Sequence, residues 1–290
     1  MPRSFRMGKL KRRASIGAAA MLLAVGAVGS PVRAGDKSPY SLSLGTDFTS
    51  HFVSYGADVW GGGNDASPFS DRRTMFVYGT LTCQFTDQLS GFVNVWSDVN
   101  DNAESSIGGQ VQEVDLNVGG TYSFLEGNKF SITLAHGCWM YAGDVEHVVD
   151  VTAAYNDADM LYKGFALNPS VNFHWRYEGN GGQEEGSALV FGLKPSYTVD
   201  FTPQFSVNFS VPMQAAFFLT DEFQGTGGDT GFAYASIGVG AAVPLKFIPE
   251  KFGAWAVSGN LTYYCTESDS LPGNKDTGFW VSTLSIGMSI

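Results

Sequence analysis

The chain has 290 residues, 44% hydrophobic and 14% aromatic, with 36 glycines, three cysteines and a formal net charge of −11 at pH 7. A chain this acidic lacks the basic face that phosphate binding needs, which excludes nucleic acid as a partner. The three cysteines match neither a disulfide framework nor a metal-ligand spacing.

At the N-terminus Arg3, Arg6, Lys9, Lys11, Arg12 and Arg13 precede the apolar run SIGAAAMLLAVGAVG. Val32 and Ala34 then supply small residues at the spacing of a cleavage site, so residues 1–34 read as a secretory signal peptide. The run is shorter than the ~20 apolar residues a membrane helix needs. Removing it leaves 10 basic against 28 acidic residues, a net charge of −18. Residues 35–290 read as one mature domain without a membrane helix. In it Cys83 and Cys138 are expected to act as small apolar residues, and Cys265 as a free thiol.

From there period-two alternation recurs, as half-buried strands require. Twelve stretches carry it: 39–53, 74–85, 89–99, 110–125, 129–141, 147–156, 166–177, 186–199, 203–218, 230–246, 252–265 and 278–290. In the first, Tyr40, Leu42, Leu44, Phe48 and Phe52 share one face and Ser41, Ser43, Asp47, Thr49 and His51 the other. In the fourth, Val114, Leu116 and Val118 oppose Glu113, Asp115 and Asn117. In the seventh, Phe173 and Trp175 oppose His174 and Arg176. Pro212 interrupts the ninth, which predicts either a bulge or a strand in two pieces. The last stretch, GFWVSTLSIGMSI, alternates up to Ile290.

The connections are uneven. TDQ, EGN and DFT are tight, whereas SYGADVWGGGNDASPFSDRR, LTDEFQGTGGD and TESDSLPGNKDT are long and polar. Aromatic residues gather at strand ends on the apolar face. Tyr40, Phe85, Phe124, Phe130, Phe205 and Trp255 fall at the short-turn end. Phe52, Trp175, Tyr177, Tyr263 and Trp280 fall at the long-loop end. Short turns at one end, long loops at the other and two aromatic girdles predict an all-β fold: a transmembrane, up-and-down, antiparallel β-barrel of about twelve strands in the bacterial outer membrane. Hydrocarbon tolerates no unpaired backbone, so the first and last strands are expected to meet.

These features resemble Gram-negative outer-membrane β-barrels. The final strand is similar to their assembly signal, with Ile290 where a terminal aromatic is usual. SLGTDFTSHFVSYGADVWGG, SGFVNVWSDVND and VQEVDLNVGGTYSF further resemble TorF-type porins over roughly the first 90 mature residues. The resemblance implies a small porin and carries over no catalytic residue.

With the apolar faces toward lipid, Asp47, His51, Asp98, Glu113, Asp115, Asp150, His174, Arg176 and Lys194 face a lumen. Charged walls of opposite sign tune ion selectivity, and the acidic excess predicts a mild cation preference. The reading is a porin-like channel for passive diffusion of small polar solutes or cations, with the bilayer and the barrel-assembly machinery as partners. The alternative is a non-conducting structural or adhesive barrel presenting acidic loops, its lumen charges paired, for instance Asp150 with Arg176. No enzyme is expected: His136 falls on the lipid face without a Ser or Asn beside it. No cofactor or metal is expected either. DVNDNAESSIGG places Asp98, Asn100 and Asn102 like a calcium loop but has Ala103 and Gly109 where the loop needs Gly and Glu.

Overall fold

The computed structural model describes residues 38–290; the expected export segment, 1–34, lies outside the described residues. Twelve strands form the wall. They are β1 (Tyr40–Thr49), β2 (Thr74–Gln84), β3 (Leu89–Val99), β4 (Val111–Phe124), β5 (Phe130–Tyr141), β6 (Asp144–Tyr155), β7 (Ser170–Glu178), β8 (Gly186–Leu193 with Ser196–Thr202), β9 (Phe205–Ser210 with Met213–Phe218), β10 (Gly231–Pro244), β11 (Ala254–Thr266) and β12 (Gly278–Ser289). Each pairs antiparallel with its sequence neighbours. The ring closes where β1 meets β12, from Ser43↔Ser289 to Thr49↔Thr283. Ile290 extends this ladder, donating its N–H to the Leu42 carbonyl at 2.9 Å and accepting from the Leu42 N–H at 3.0 Å. The first and last strands of the wall thus pair with each other, which is the condition for spanning hydrocarbon. Among the described residues no helix is long and apolar enough to cross a membrane.

The alternation sorts side chains to the two faces of the wall. Leu44, Phe48, Val77, Leu81, Val93, Val95, Leu116, Val118, Leu134 and Leu284 are all exposed on the outside. A band of this extent would be a liability in water and is the expected surface against lipid. Rings mark both rims. Phe124 packs on Phe130 and Phe201 on Phe205 at the short-turn end, with centroids 4.9 and 5.6 Å apart. Trp175 meets Tyr177 and Tyr263 meets Trp280 at the long-loop end, at 5.6 and 5.0 Å.

Three details depart from the sequence expectation or settle it. First, β6 starts at Asp144, three residues earlier than the pattern indicated, because Ala142 and Gly143 alone form the β5–β6 hairpin. Their φ values of 50° and 86° are those of a type I′ turn. Second, Pro212 splits β9 without a bulge. Pro195 splits β8 at the same height, and the register runs unchanged from Leu193↔Met213 to Ser196↔Ser210. Third, the connection 156–169 folds back on the wall. Phe165–Ala166 pairs with Ser196–Tyr197, and the Leu167 carbonyl accepts the Lys194 N–H at 2.9 Å.

Candidate functional site

The lumen has two unlike halves. Toward the short turns it is lined by small polar side chains such as Ser43, Thr80, Thr121, Thr133, Thr152 and Asn208, all half-buried and reached by solvent. Toward the long loops it is filled. Phe52, Phe76, Trp96, Trp139, Phe218, Phe223, Tyr234 and Leu271 form one buried cluster with Tyr55.

The filling is the work of the loop after β1. β1 ends at Thr49 and the chain turns inward, so Phe52, expected in the outer girdle, packs inside the barrel against Phe76 and Trp96 at 5.2 and 5.4 Å. This corrects the sequence reading; the period-two pattern continues past the last residue that remains in the wall. Val53–Ser54 and Ala57–Asp58 then form a small hairpin, turned by Tyr55 and Gly56 at φ 43° and 83°. A tyrosine in this left-handed region is strained and needs its surroundings to hold it there. Here they do. Tyr55 lies 4.6 Å from the His174 ring on β7, diametrically across a twelve-strand ring from β1, and 5.5 Å from Phe223. Gly56 sits so close that a Cβ there would be 2.5 Å from the Tyr234 ring. Burial pushes the Tyr55 phenol well above its ordinary pKa, and the nearby Asp150 carboxylate adds to the rise, so the tip is neutral at physiological pH.

Polar contacts pin this loop on every side. Trp60 Nε1 donates to Asp98 Oδ2 at 3.0 Å. Gln224 Nε2, from the β9–β10 loop, donates to the Ser54 carbonyl at 3.3 Å. Asn274, from the β11–β12 loop, accepts from the Asp58 N–H and donates to the Gly56 carbonyl, both at 2.9 Å. His51 completes the fold of the loop, with Nε2 2.6 Å from the Asp65 carbonyl and Nδ1 3.6 Å from Asp58.

Of the sequence-selected residues all but the half-buried Lys194 are buried, and apart from His51 they fall into three groups. Asp98, Glu113 and Asp115 lie buried on β3 and β4. Asp98 is held by Thr74, Asn100 and Trp60, whereas Glu113 and Asp115, two residues apart on one face, take part in no ion pair among the described residues. On β6 and β7, His174 Nδ1 meets Asp150 Oδ1 at 3.0 Å, and Trp139 stacks on the His174 ring at 5.4 Å. Arg176 pairs with Glu146 at 2.9 Å, not with Asp150 as expected, and both side chains are wholly buried. Its guanidinium also donates to the carbonyls of Phe223 and Glu184 and covers the Phe223 ring at 4.4 Å. Asp47 accepts from the Tyr78 hydroxyl at 3.1 Å, deeper in the barrel, and Lys194, half-buried beside Pro195, takes part in no ion pair among the described residues.

Glu146 lies just before residue 147, where the period-two pattern of the sixth stretch begins, so the pattern alone does not mark it. Its parity with Asp150, together with the Ala142-Gly143 turn, would have found it. The inserted aromatics Tyr55 and Phe223 carried no periodic signal at all.

No protein-family model matches the chain, and no curated protein matches it. Among solved structures it is similar to an outer membrane channel from Pseudomonas putida F1, at 12% identity and a TM-score of 0.47 over 89% of this chain and 100% of that one. It is similar to LpxR from Salmonella typhimurium at 9% identity and 0.46, covering 86% and 99%, and to the NanC porin at 7% and 0.45, covering 86% and 98%. Likeness at this level concerns architecture alone. The closed wall, the apolar band and the paired girdles are those of a bacterial outer-membrane β-barrel.

Proposed function

We propose that the chain is a porin-like outer-membrane channel for passive diffusion of small polar solutes or cations, held shut by its first long loop. One observation carries the reading: a solvent-reached polar half-lumen ends against a stopper made of loop, not of wall. A barrel of twelve strands lies between filled eight-stranded and open sixteen-stranded barrels, so moving a loop is enough to change its state. Asp47, Asp98, Glu113, Asp115, Glu146 and Asp150 outnumber Arg176 and Lys194 along the path, which supports a cation preference. Kinship with TorF-type porins and insertion by the barrel-assembly machinery belong to the same reading, and no catalytic residue is assigned.

The competing reading is a non-conducting barrel. The completeness of the seal favours it, since Arg176, Glu146 and His174 show no exposure at all. Planar-bilayer recording separates the two. Tyr55→Gly keeps a residue suited to the turn but removes the ring from His174 and Phe223. Rare brief openings in the wild type and frequent ones in Tyr55→Gly are expected. Silence in both, from samples that show the heat-dependent gel shift of a folded barrel, would leave the non-conducting reading.

A further inference from the structure

The outer wall of β5–β7 holds a side-chain cluster that the lumen does not use. The β5–β6 hairpin places Cys138 directly opposite His147, and period two puts His136 on the same outward face. The register shift between Arg176 and Glu178 on β7 brings Tyr177 and Glu178 alongside His147. Cys138 Sγ then lies 3.4 Å from His147 Nδ1 and 3.9 Å from His136 Nδ1. One donor atom from each of the three residues falls within 4.8 Å of the others. Zinc bonds of ~2.3 Å to sulfur and ~2.0 Å to imidazole nitrogen put tetrahedral donors about 3.5 Å apart, so these spacings bracket a metal-bound geometry.

The far side of each imidazole faces a polar group, within hydrogen-bond reach for His136 and at ion-pair distance for His147. His136 Nε2 is 2.6 Å from the Tyr177 hydroxyl, and His147 Nε2 is 3.9 Å from the Glu178 carboxylate. Metal-ligating histidines are oriented in this way by a partner on the second nitrogen. A cysteine–histidine pair could also serve acyl transfer, but that chemistry needs free N–H donors for an oxyanion. Here the backbone around Cys138 is committed to the ladders with β4 and β6. Two imidazoles converging on one sulfur is instead a ligand set.

We propose that His136, Cys138 and His147 form a three-donor site for a borderline-to-soft transition-metal ion, zinc(II) above all, on the outer wall of the barrel. His136 pairs with Val149 and Val149 with Trp175, so the site stands at the height of the outer aromatic girdle. Three protein donors leave a coordination position for water or a lipid headgroup oxygen. The site is independent of whether the lumen conducts. Linear spacing hid it: the cysteine and the two histidines converge only through strand pairing.

Cobalt(II) is the probe. Titrated into the folded barrel in detergent, it should give one equivalent of a thiolate-to-cobalt charge-transfer band with tetrahedral d–d absorption, lost on adding zinc(II). Cys138→Ser should abolish the band, the paired change Cys83→Ser/Cys265→Ser should retain it, and Tyr177→Phe or Glu178→Gln should weaken affinity about 10- to 100-fold. The site is overturned if the band survives Cys138→Ser, if His136→Ala/His147→Ala binds as the wild type does, or if a demonstrably folded wild type gives no band.

Discussion

Arg176 is the residue on which most of the closed lumen converges. Its charge is wholly buried, balanced by Glu146, and shared with two carbonyls of neighbouring loops. Removing one member of such a pair strands the other charge, which typically costs about 3–5 kcal/mol, whereas replacing both by apolar groups of similar shape is often near neutral. Arg176→Met should therefore lower the thermal midpoint of the folded barrel sharply, and Arg176→Met/Glu146→Leu should recover most of the loss; equal midpoints for the two variants would contradict the pairing. Three strands away on β4, Glu113 and Asp115 take part in no such ion pair among the described residues. Glu113→Gln/Asp115→Asn should shift the zero-current potential in a salt gradient toward that of an unselective pore, measured in a Tyr55→Gly background where current flows.

Among elements, the loop between β1 and β2 is unlike the rest because it behaves as an interior segment. Gly56 gives the sharpest test of that placement. An alanine there must hold φ near 83° and would press its Cβ against the Tyr234 ring, so the hairpin tip should leave the lumen while the wall stays intact. Higher conductance with an unchanged heat-dependent gel shift is expected of Gly56→Ala; unchanged conductance would show that the tip is not the stopper. The strands themselves were legible because burial on one face imposes a period of two on their sequences, and all twelve stretches became wall. The buried polar positions of the strands were legible for the same reason, as Asp98, Glu113 and His174 illustrate. The path of the loop was not. Phe52 keeps the alternation of β1 three residues after Thr49, the last residue of the strand, and Tyr55 is placed by contacts with β7 and Phe223 that no local pattern records.

On the scale of the whole molecule, the proposed channel is a vessel whose half-buried polar side faces the short turns and whose buried cluster faces the long loops. A solute probe added from the short-turn side should enter the polar half without crossing. Cysteine placed at Thr121 in a chain carrying no other cysteine should therefore react with a small charged thiol reagent from that side and stay protected from the other; equal reaction from both sides would mean that the stopper does not seal. The wall itself is uneven. β3 to β6 are continuous, while β8 and β9 break together at Pro195 and Pro212 and keep their register across the gap. Proline removes a ladder donor at each break, yet each proline's own carbonyl keeps its in-register partner, Pro212 accepting from the Gly238 N–H and Pro195 from the Val211 N–H, both at 2.8 Å. In mechanical terms this is a crease in a hoop: two neighbouring strands lose ladder donors at one height without slipping a notch. It crosses β9, the strand that ends in Phe218, one of the rings clustered with Tyr55, so a movement at the crease would be felt where the plug is seated.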